Sequence, residues 1–420
     1  MSKRKMKDSG VEWLGEIPEE WGVGRVKNDF CATKEIAGAK ADSYQRLALT
    51  LSGVVMRSKE DAGGLQPEEF EGYQVLRKNE LVFKLIDLQN VKTSRVGRSP
   101  FEIGIVSPAY IVLRHRHGAD TRYAEYFFLS MWMHEVFNTM GDDAVRSCLN
   151  RTDLLNIPFL MPSENEQRKI AAYLDARCAK IDEMISDAKK TIEEYKAWKA
   201  SVIFESVTGK NTGSKMKDSG VEWIGRMPDG WHVIPVRYLL VEKNVRSEAG
   251  LEEPLSMSQV HGVVPSKMIT VANPASSYVG AKVVSVGDLV FNKLKAHLGV
   301  FAISRYAGLV SPDYAVYQSR GICDMSLLMW AFHTPQCISE FKKNVTGIGA
   351  GLSRLYTSDL YRIKVPVPSV EEQLRLVDFL DKKCAAIDRV IAEKEALIAD
   401  LEAYKKSLIF ECVTGKMEVA

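Results

Sequence analysis

The sequence predicts an α+β protein made of two tandem, pseudo-symmetric units. Each is a globular strand-rich domain followed by a long helix, and the two long helices pair as an antiparallel coiled coil. Three observations carry this expectation. The phrase KMKDSGVEWLGEIPEEW at 5–21 returns as KMKDSGVEWIGRMPDGW at 215–231. PSENEQRKIAAYLDARCAKID at 162–182 returns as PSVEEQLRLVDFLDKKCAAID at 368–388, and SVIFESVTGK at 201–210 as SLIFECVTGK at 407–416. Finally, each PS(E/V)xEQ phrase is followed by apolar residues at alternating steps of three and four, a heptad seam.

Taken in chain order, the expected segments are a first globular domain at 1–160, a long helix at 161–214, a second globular domain at 215–366 and a second long helix at 367–420. Ser163 and Ser369 are expected helix caps, with Glu166 and Glu372 completing capping boxes. The seam runs through Leu174, Ile181, Ile185 and Ile192 in the first helix. Leu380, Ile387, Ile391, Ile398 and Leu401 carry it in the second. Gly209 and Gly415 are expected to end these helices. About 40 residues at 1.5 Å each give a rod of about 60 Å.

Between the repeated ends, short β-branched runs predict strands: YQVLRKNELVF (73–83), EIGIVSPAYIVLR (102–114), YVGAKVVSVGDLVF (278–291) and SPDYAVYQ (311–318). Helical patterns follow at about 121–139 and 324–343. The ends of the two units agree closely, whereas the middles agree only in scattered patches. That contrast implies a shared framework carrying two variable parts with related but different tasks.

The chain of 420 residues is too long for one ordinary core, and its net charge of +2 announces no polyanionic partner. Its seven cysteines are scattered and form no C-x-x-C pair, so the spacing supports neither a zinc cluster nor a disulfide framework and fits a reducing cytoplasm. The basic start MSKRKMKDSG lacks the apolar run of a signal peptide, and no apolar stretch is long enough to span a membrane.

Catalytic motifs are wanting. VTGK at 207–210 and 413–416 lacks the first glycine of a phosphate loop and closes a helix instead of opening one. GIGAG (347–351) lacks the strand-and-helix context of a dinucleotide fingerprint. NPAS (273–276) resembles the catalytic tetrapeptide of adenine-amino methyltransferases but has neither its second proline nor its aromatic. His115 and His117 have no evident third metal ligand. No metal site is expected.

Groups suited to nucleic acid do cluster. KLIDLQNVKTSRVGR (84–98) carries Lys84, Gln89, Asn90, Lys92, Arg95 and Arg98 against one acid. The matching stretch of the second unit offers Asn292, Lys293, Lys295 and His297. A third spot, before the last strand of each middle, holds Arg146 and Arg151 in the first unit and Ser353, Arg354 and Tyr356 in the second. Lysine and arginine neutralise phosphates, and arginine, asparagine and glutamine read base edges. Arg95, Arg98, Lys293 and Lys295 lead this set.

The ordered, duplicated phrases KMKDSGVEW(L/I)G, PSxxEQ and (V/L)IFExVTGK resemble the specificity subunit of type I restriction-modification systems over essentially the whole chain. The resemblance implies that each middle is a target recognition domain reading one half of a bipartite, asymmetric DNA sequence. It implies that the helices space the half-sites, which lie about 34 Å apart if one helical turn separates them. Partners would be double-stranded DNA, two modification (methyltransferase) subunits and two restriction subunits. S-adenosylmethionine, ATP and Mg2+ would belong to those partners, and this cytoplasmic chain would hold no cofactor and no active site. The repeated tryptophans Trp13, Trp21, Trp223 and Trp231 are expected as packing anchors. The competing readings are a stand-alone methyltransferase, a coiled-coil scaffold that never touches DNA, and the specificity subunit of a related non-nuclease phage-defence system.

Overall fold

The computed structural model describes residues 4–60, 69–86, 88, 95–116, 119–140, 148–259, 261–269, 277–347 and 353–419. The chain divides into two compact units. Unit 1 comprises Met1–Ala188 and Ala396–Ala420, and unit 2 comprises Lys189–Glu395. Both are mixed α/β and strand-rich.

In unit 1 the repeated opening phrase is a hairpin, Met6–Asp8 against Glu16–Pro18. Its turn is set by Asp8, whose Oδ1 accepts the Gly10 N–H at 2.9 Å. The central sheet comprises β1 (Phe30–Thr33), β2 (Leu81–Lys84), β3 (Arg95–Arg98) and β4 (Ile111–His115), in the order β1-β4-β2-β3 with every pairing antiparallel. Successive side chains of a strand point to opposite faces, and here both faces are buried. Leu81, Phe83, Ile111 and Leu113 meet Tyr123, Phe127 and Phe128 of helix α1 (Thr121–Met133). Val82 and Val112 meet Leu47, Leu76 and Val106 from two outer two-stranded sheets. The long helix α2 spans Glu164–Thr208.

Unit 2 repeats this plan. Its sheet holds β5 (Leu240–Glu242), β6 (Leu289–Phe291), β7 (Phe301–Ile303) and β8 (Ala315–Ser319), in the order β5-β8-β6-β7. Leu289, Phe291 and Tyr317 face helix α3 (Met325–Phe332), while Val290 and Val316 face Leu255, Val263, Val284 and Val310. The second long helix, α4, spans Val370–Val413.

Two local expectations are corrected. The helical patterns at 121–139 and 324–343 are each two helices. In unit 1 the break falls at His134 and Glu135, the latter left-handed at φ 59°, before a short helix at Val136–Thr139. In unit 2 the next helix starts afresh at Pro335, with the Thr334 side chain accepting the Cys337 N–H. Proline has no N–H to continue a preceding helix and suits a first turn. The second correction concerns Glu166 and Glu372. Ser163 and Ser369 do accept the N–H of these residues, at 3.3 and 3.4 Å. The two carboxylates, however, receive the indole N–H of Trp21 and Trp231, each at 2.9 Å.

That bond explains why the end phrases are repeated. Trp21 is 1% exposed and Trp231 2%. In unit 1, Trp21 joins the start of α2, through Glu166, to Gly415, two residues past the end of α4, whose backbone lies against Pro18 and the Trp21 ring. In unit 2, Trp231 joins the start of α4, through Glu372, to Gly209 just past α2, which lies against Pro228 and the Trp231 ring. Gln167 and Gln373 complete the fastening. Each accepts the N–H of the aspartate that caps the middle helix, Asp120 at 2.7 Å and Asp324 at 2.6 Å, and donates to the carbonyl of Pro162 or Pro368. The PSxxEQ phrase thus binds helix start, hairpin and middle domain with three neighbouring side chains.

Of the seam residues, Leu174, Ile181, Ile185, Ile192, Leu380 and Ile387 are buried, and Ile391, Ile398 and Leu401 are half-buried. Within unit 1, Lys405 of α4 forms an ion pair with Asp182 of α2 at 2.6 Å. Within unit 2, Lys199 of α2 does the same with Asp388 of α4 at 2.6 Å.

Candidate nucleic-acid interface

In each unit the two predicted clusters, some 60 residues apart in sequence, are brought to one place. The segment after β2 meets the segment before the last framework strand through Leu149 N–H to the Leu85 carbonyl, 3.0 Å. In unit 2 the equivalent bond runs from Leu355 N–H to the Lys293 carbonyl, also 3.0 Å. This convergence follows from the sheet. The segment after β2 or β6 leaves the central pair of strands, and the later segment closes over the same end.

Several predicted residues serve the fold of this end. Arg98, on β3, gives its N–H to Glu125 Oε1 at 3.0 Å, its Nε to Glu125 Oε2 at 3.3 Å and its Nη1 to Asn79. Its charge is thereby matched inside the unit. Asn292 is 8% exposed, and its Oδ1 accepts from Leu294 N–H at 3.1 Å and Lys295 N–H at 3.3 Å, fixing the turn after β6. His297 sits in the short turn Ala296–Leu298 with a buried Nδ1 that has no partner among the described residues.

Others are open. Lys84 ends β2, half-buried and opposite Arg95 in the strand register. Arg151 opens a short helix, Arg151–Asn156, that is capped by Asn150. Lys295 is exposed, Tyr356 is 43% exposed, and Arg354 lies 3.9 Å from Asp313. The Lys293 ammonium is held below the usual lysine range, first by burial and then by repulsion from Lys282, with Arg354 adding to it. Gln89, Asn90, Lys92 and Arg146 lie outside the described residues, as do the side chains of Arg95 and Ser353.

Two groups escaped the sequence reading. Lys282 is buried in a strand, 3.1 Å from Glu242, and contributes to the charge around Lys293. A lysine inside the run AKVVSV was the available signal. The second is Arg122, which links Glu125 of its own helix to Asp175 of α2, while Tyr126 donates to Asp175 at 2.8 Å. With Arg98 on Glu125, a chain of ionic contacts runs from β3 through α1 to α2. Arg122→Ala is expected to cost unit 1 about 1–3 kcal/mol. That is less than for a fully buried pair, because Arg122 is one-third exposed and Glu125 keeps Arg98. The midpoint of urea unfolding measures it.

Among the described residues no group of three metal-ligating side chains comes together. His115 lies beside the ring of Phe30, and His117 and NPAS lie outside the described residues. Burial pushes the thiols of Cys178 and Cys384 up, away from thiolate reactivity. Both VTGK phrases close long helices, with Gly209 and Gly415 left-handed at φ 71°. Among the described residues no helix is long and apolar enough to cross a membrane.

No family model matches the chain. Among curated proteins, it is 22% identical over 432 residues to the protein assigned as the type I restriction enzyme MjaX specificity subunit of Methanocaldococcus jannaschii, covering 97% of this chain and 96% of that one. It is 18% identical over 294 residues to the type I restriction enzyme EcoDI specificity subunit of Escherichia coli, covering 64% of each. A solved chain from work on assembly and conformational transition of a type I R-M system superimposes with a TM-score of 0.70 at 14% identity, over 96% of this chain and 99% of that one. The HsdS subunit from Thermoanaerobacter tengcongensis gives 0.51 at 15% identity, over 96% and 98%. The structural likenesses speak to fold and the curated relatives carry the same assignment, so what this chain is similar to, in sequence and in fold, is the specificity subunit of type I restriction-modification systems.

Proposed function

We propose that the chain selects the DNA sequence on which a type I restriction-modification complex acts, and performs no catalysis itself. Unit 1 reads one half of a bipartite, asymmetric double-stranded target, and unit 2 reads the other. The observation that carries this is the pairing of a duplicated framework with two dissimilar loop ends, each assembled by the same backbone bond. Equal frameworks suit equal partners, and unequal loops suit unequal half-sites.

On this reading the segments 1–160 and 215–366 are the recognition domains, and 161–214 and 367–420 are spacer helices that pair as an antiparallel coiled coil. Support for the antiparallel sense comes from the two inter-helix ion pairs. From Asp182 to Lys199 the chain advances 17 residues along α2, and from Lys405 to Asp388 it retreats 17 along α4. The framework scaffolds two modification subunits, which bring S-adenosylmethionine, and two restriction subunits, which bring ATP and Mg2+. The complex works in the cytoplasm.

Methylome sequencing of a host with and without this chain tests the reading. The expected result is a methylated motif of two different short half-sites around a fixed gap, lost on deletion. A palindromic motif, or a methylome indifferent to the chain, would overturn it.

A further inference from the structure

We propose that Lys293 and Arg354 jointly hold one backbone phosphate of the half-site read by unit 2, with Lys295 as an outer contact on the adjoining turn. This rests on the DNA-reading role proposed above and assigns it to named donors.

The geometry brings these groups together and leaves Lys293 without a matched partner among the described residues. Asn292 fixes the turn that carries Lys293 and Lys295. The Lys293 carbonyl accepts from Leu355 N–H, and Leu355 directly follows Arg354, which pairs with Thr346 in a short hairpin. Among the described residues Lys293 has no carboxylate at ion-pair distance. The charged groups acting on it are Lys282 and Arg354, which repel, and Glu242 and Asp313, which attract. Both acids have other calls on them: Glu242 is 3.1 Å from Lys282, and Asp313 is 3.9 Å from Arg354.

A half-buried ammonium beside a guanidinium, with no acid of its own, is an unfavourable arrangement that an anion reverses. A phosphodiester suits it. Its two free oxygens can meet an ammonium and a planar fork at once. Tyr356, two residues after Arg354, is exposed as well. Unit 1 offers a contrast at Arg98, whose charge Glu125 already matches. The segment 235–360 carries 12 basic and 9 acidic residues, against 18 and 17 in 25–155, so the net positive charge of the middles also lies mainly in unit 2.

The test uses the assembled complex and a duplex bearing the motif found by methylome sequencing, with a scrambled duplex for comparison. Affinity is measured against salt for the wild type, for the double variant Lys293→Gln with Arg354→Gln, and for Lys343→Gln. Lys343 pairs with Glu222 in the same unit, so its loss controls for removing a positive charge away from the proposed contact. The double variant is expected to weaken both duplexes alike and to lower the salt slope by about 0.9, the loss of one phosphate contact, whereas Lys343→Gln leaves the slope unchanged. Lys293→Arg is expected to restore most of the loss seen with Lys293→Gln.

A second readout is pH. The free ammonium titrates below its usual value of about 10.4, and a phosphate raises it again. Binding therefore takes up a proton between the free and bound values, and affinity falls as pH rises through that window. Lys293→Gln is expected to flatten this fall. An unchanged salt slope in the double variant would overturn the assignment, and so would an altered methylation motif, which would mean base reading instead of a phosphate contact. If the wild-type complex does not prefer its motif over the scrambled duplex, the DNA-reading role falls first and this assignment with it.

Discussion

Trp231→Ala is expected to destabilise unit 2 by about 3–5 kcal/mol, the usual cost of removing a large aromatic from a packed core. Three losses coincide. The ring is 2% exposed and sits in the cluster with Ile224, Met227 and Val367. Its indole N–H is the donor to Glu372, which stands in the first turn of α4. Its ring also closes against Gly209 at the end of α2. The variant should therefore lower the unfolding midpoint of unit 2 more than an area argument predicts. Trp231→Phe, which keeps most of the ring and drops the N–H, should recover most of the loss. The remaining difference, about 1–2 kcal/mol, estimates the charge-assisted hydrogen bond to Glu372. Urea denaturation of the three proteins measures both. A Trp231→Phe variant as unstable as Trp231→Ala would mean that the bond, and not the packing, holds the junction.

The same tryptophan shows what the sequence made legible. Repetition of the end phrases marked them as framework, and heptad spacing marked the long helices, because both signals are periodic and local. The partner of each motif was hidden. Glu166 and Glu372 stand where a capping box would use them, so a local rule claimed them. A tryptophan about 140 residues away satisfies them instead, and no spacing rule reports a contact at that separation. Proline and a left-handed glutamate broke the middle helices at points where the apolar pattern continued. At the candidate interface, counting cations picked out stretches that the fold brings together, but it could not rank their residues. Arg98 and Lys293 look alike in sequence, yet one is matched by Glu125 and the other is crowded by Lys282. The difference comes from strand partners and from a buried lysine in a run that reads as plain β-strand.

Gly415→Ala is expected to cost unit 1 about 2–4 kcal/mol, and its cost can be separated into two parts. Gly415 lies at φ 71°, where a side chain carries about 1 kcal/mol of strain. A Cβ there would also stand 2.4 Å from Pro18 Cγ and 3.1 Å from the Trp21 ring. Relieving that clash must shift the hairpin or the helix end, which adds about 1–3 kcal/mol. Gly10→Ala isolates the first part, since Gly10 has φ 72° and nothing within 4 Å of its Cβ position. If the two variants cost the same, backbone strain explains both and the contact between Gly415 and Trp21 carries no energy. If Gly415→Ala costs clearly more, and the excess shrinks when Trp21→Ala is already present, the two residues are coupled. The closing glycine of VTGK and the closing tryptophan of the opening phrase then act as one fastening, which is the physical reason for both phrases to recur together in each unit.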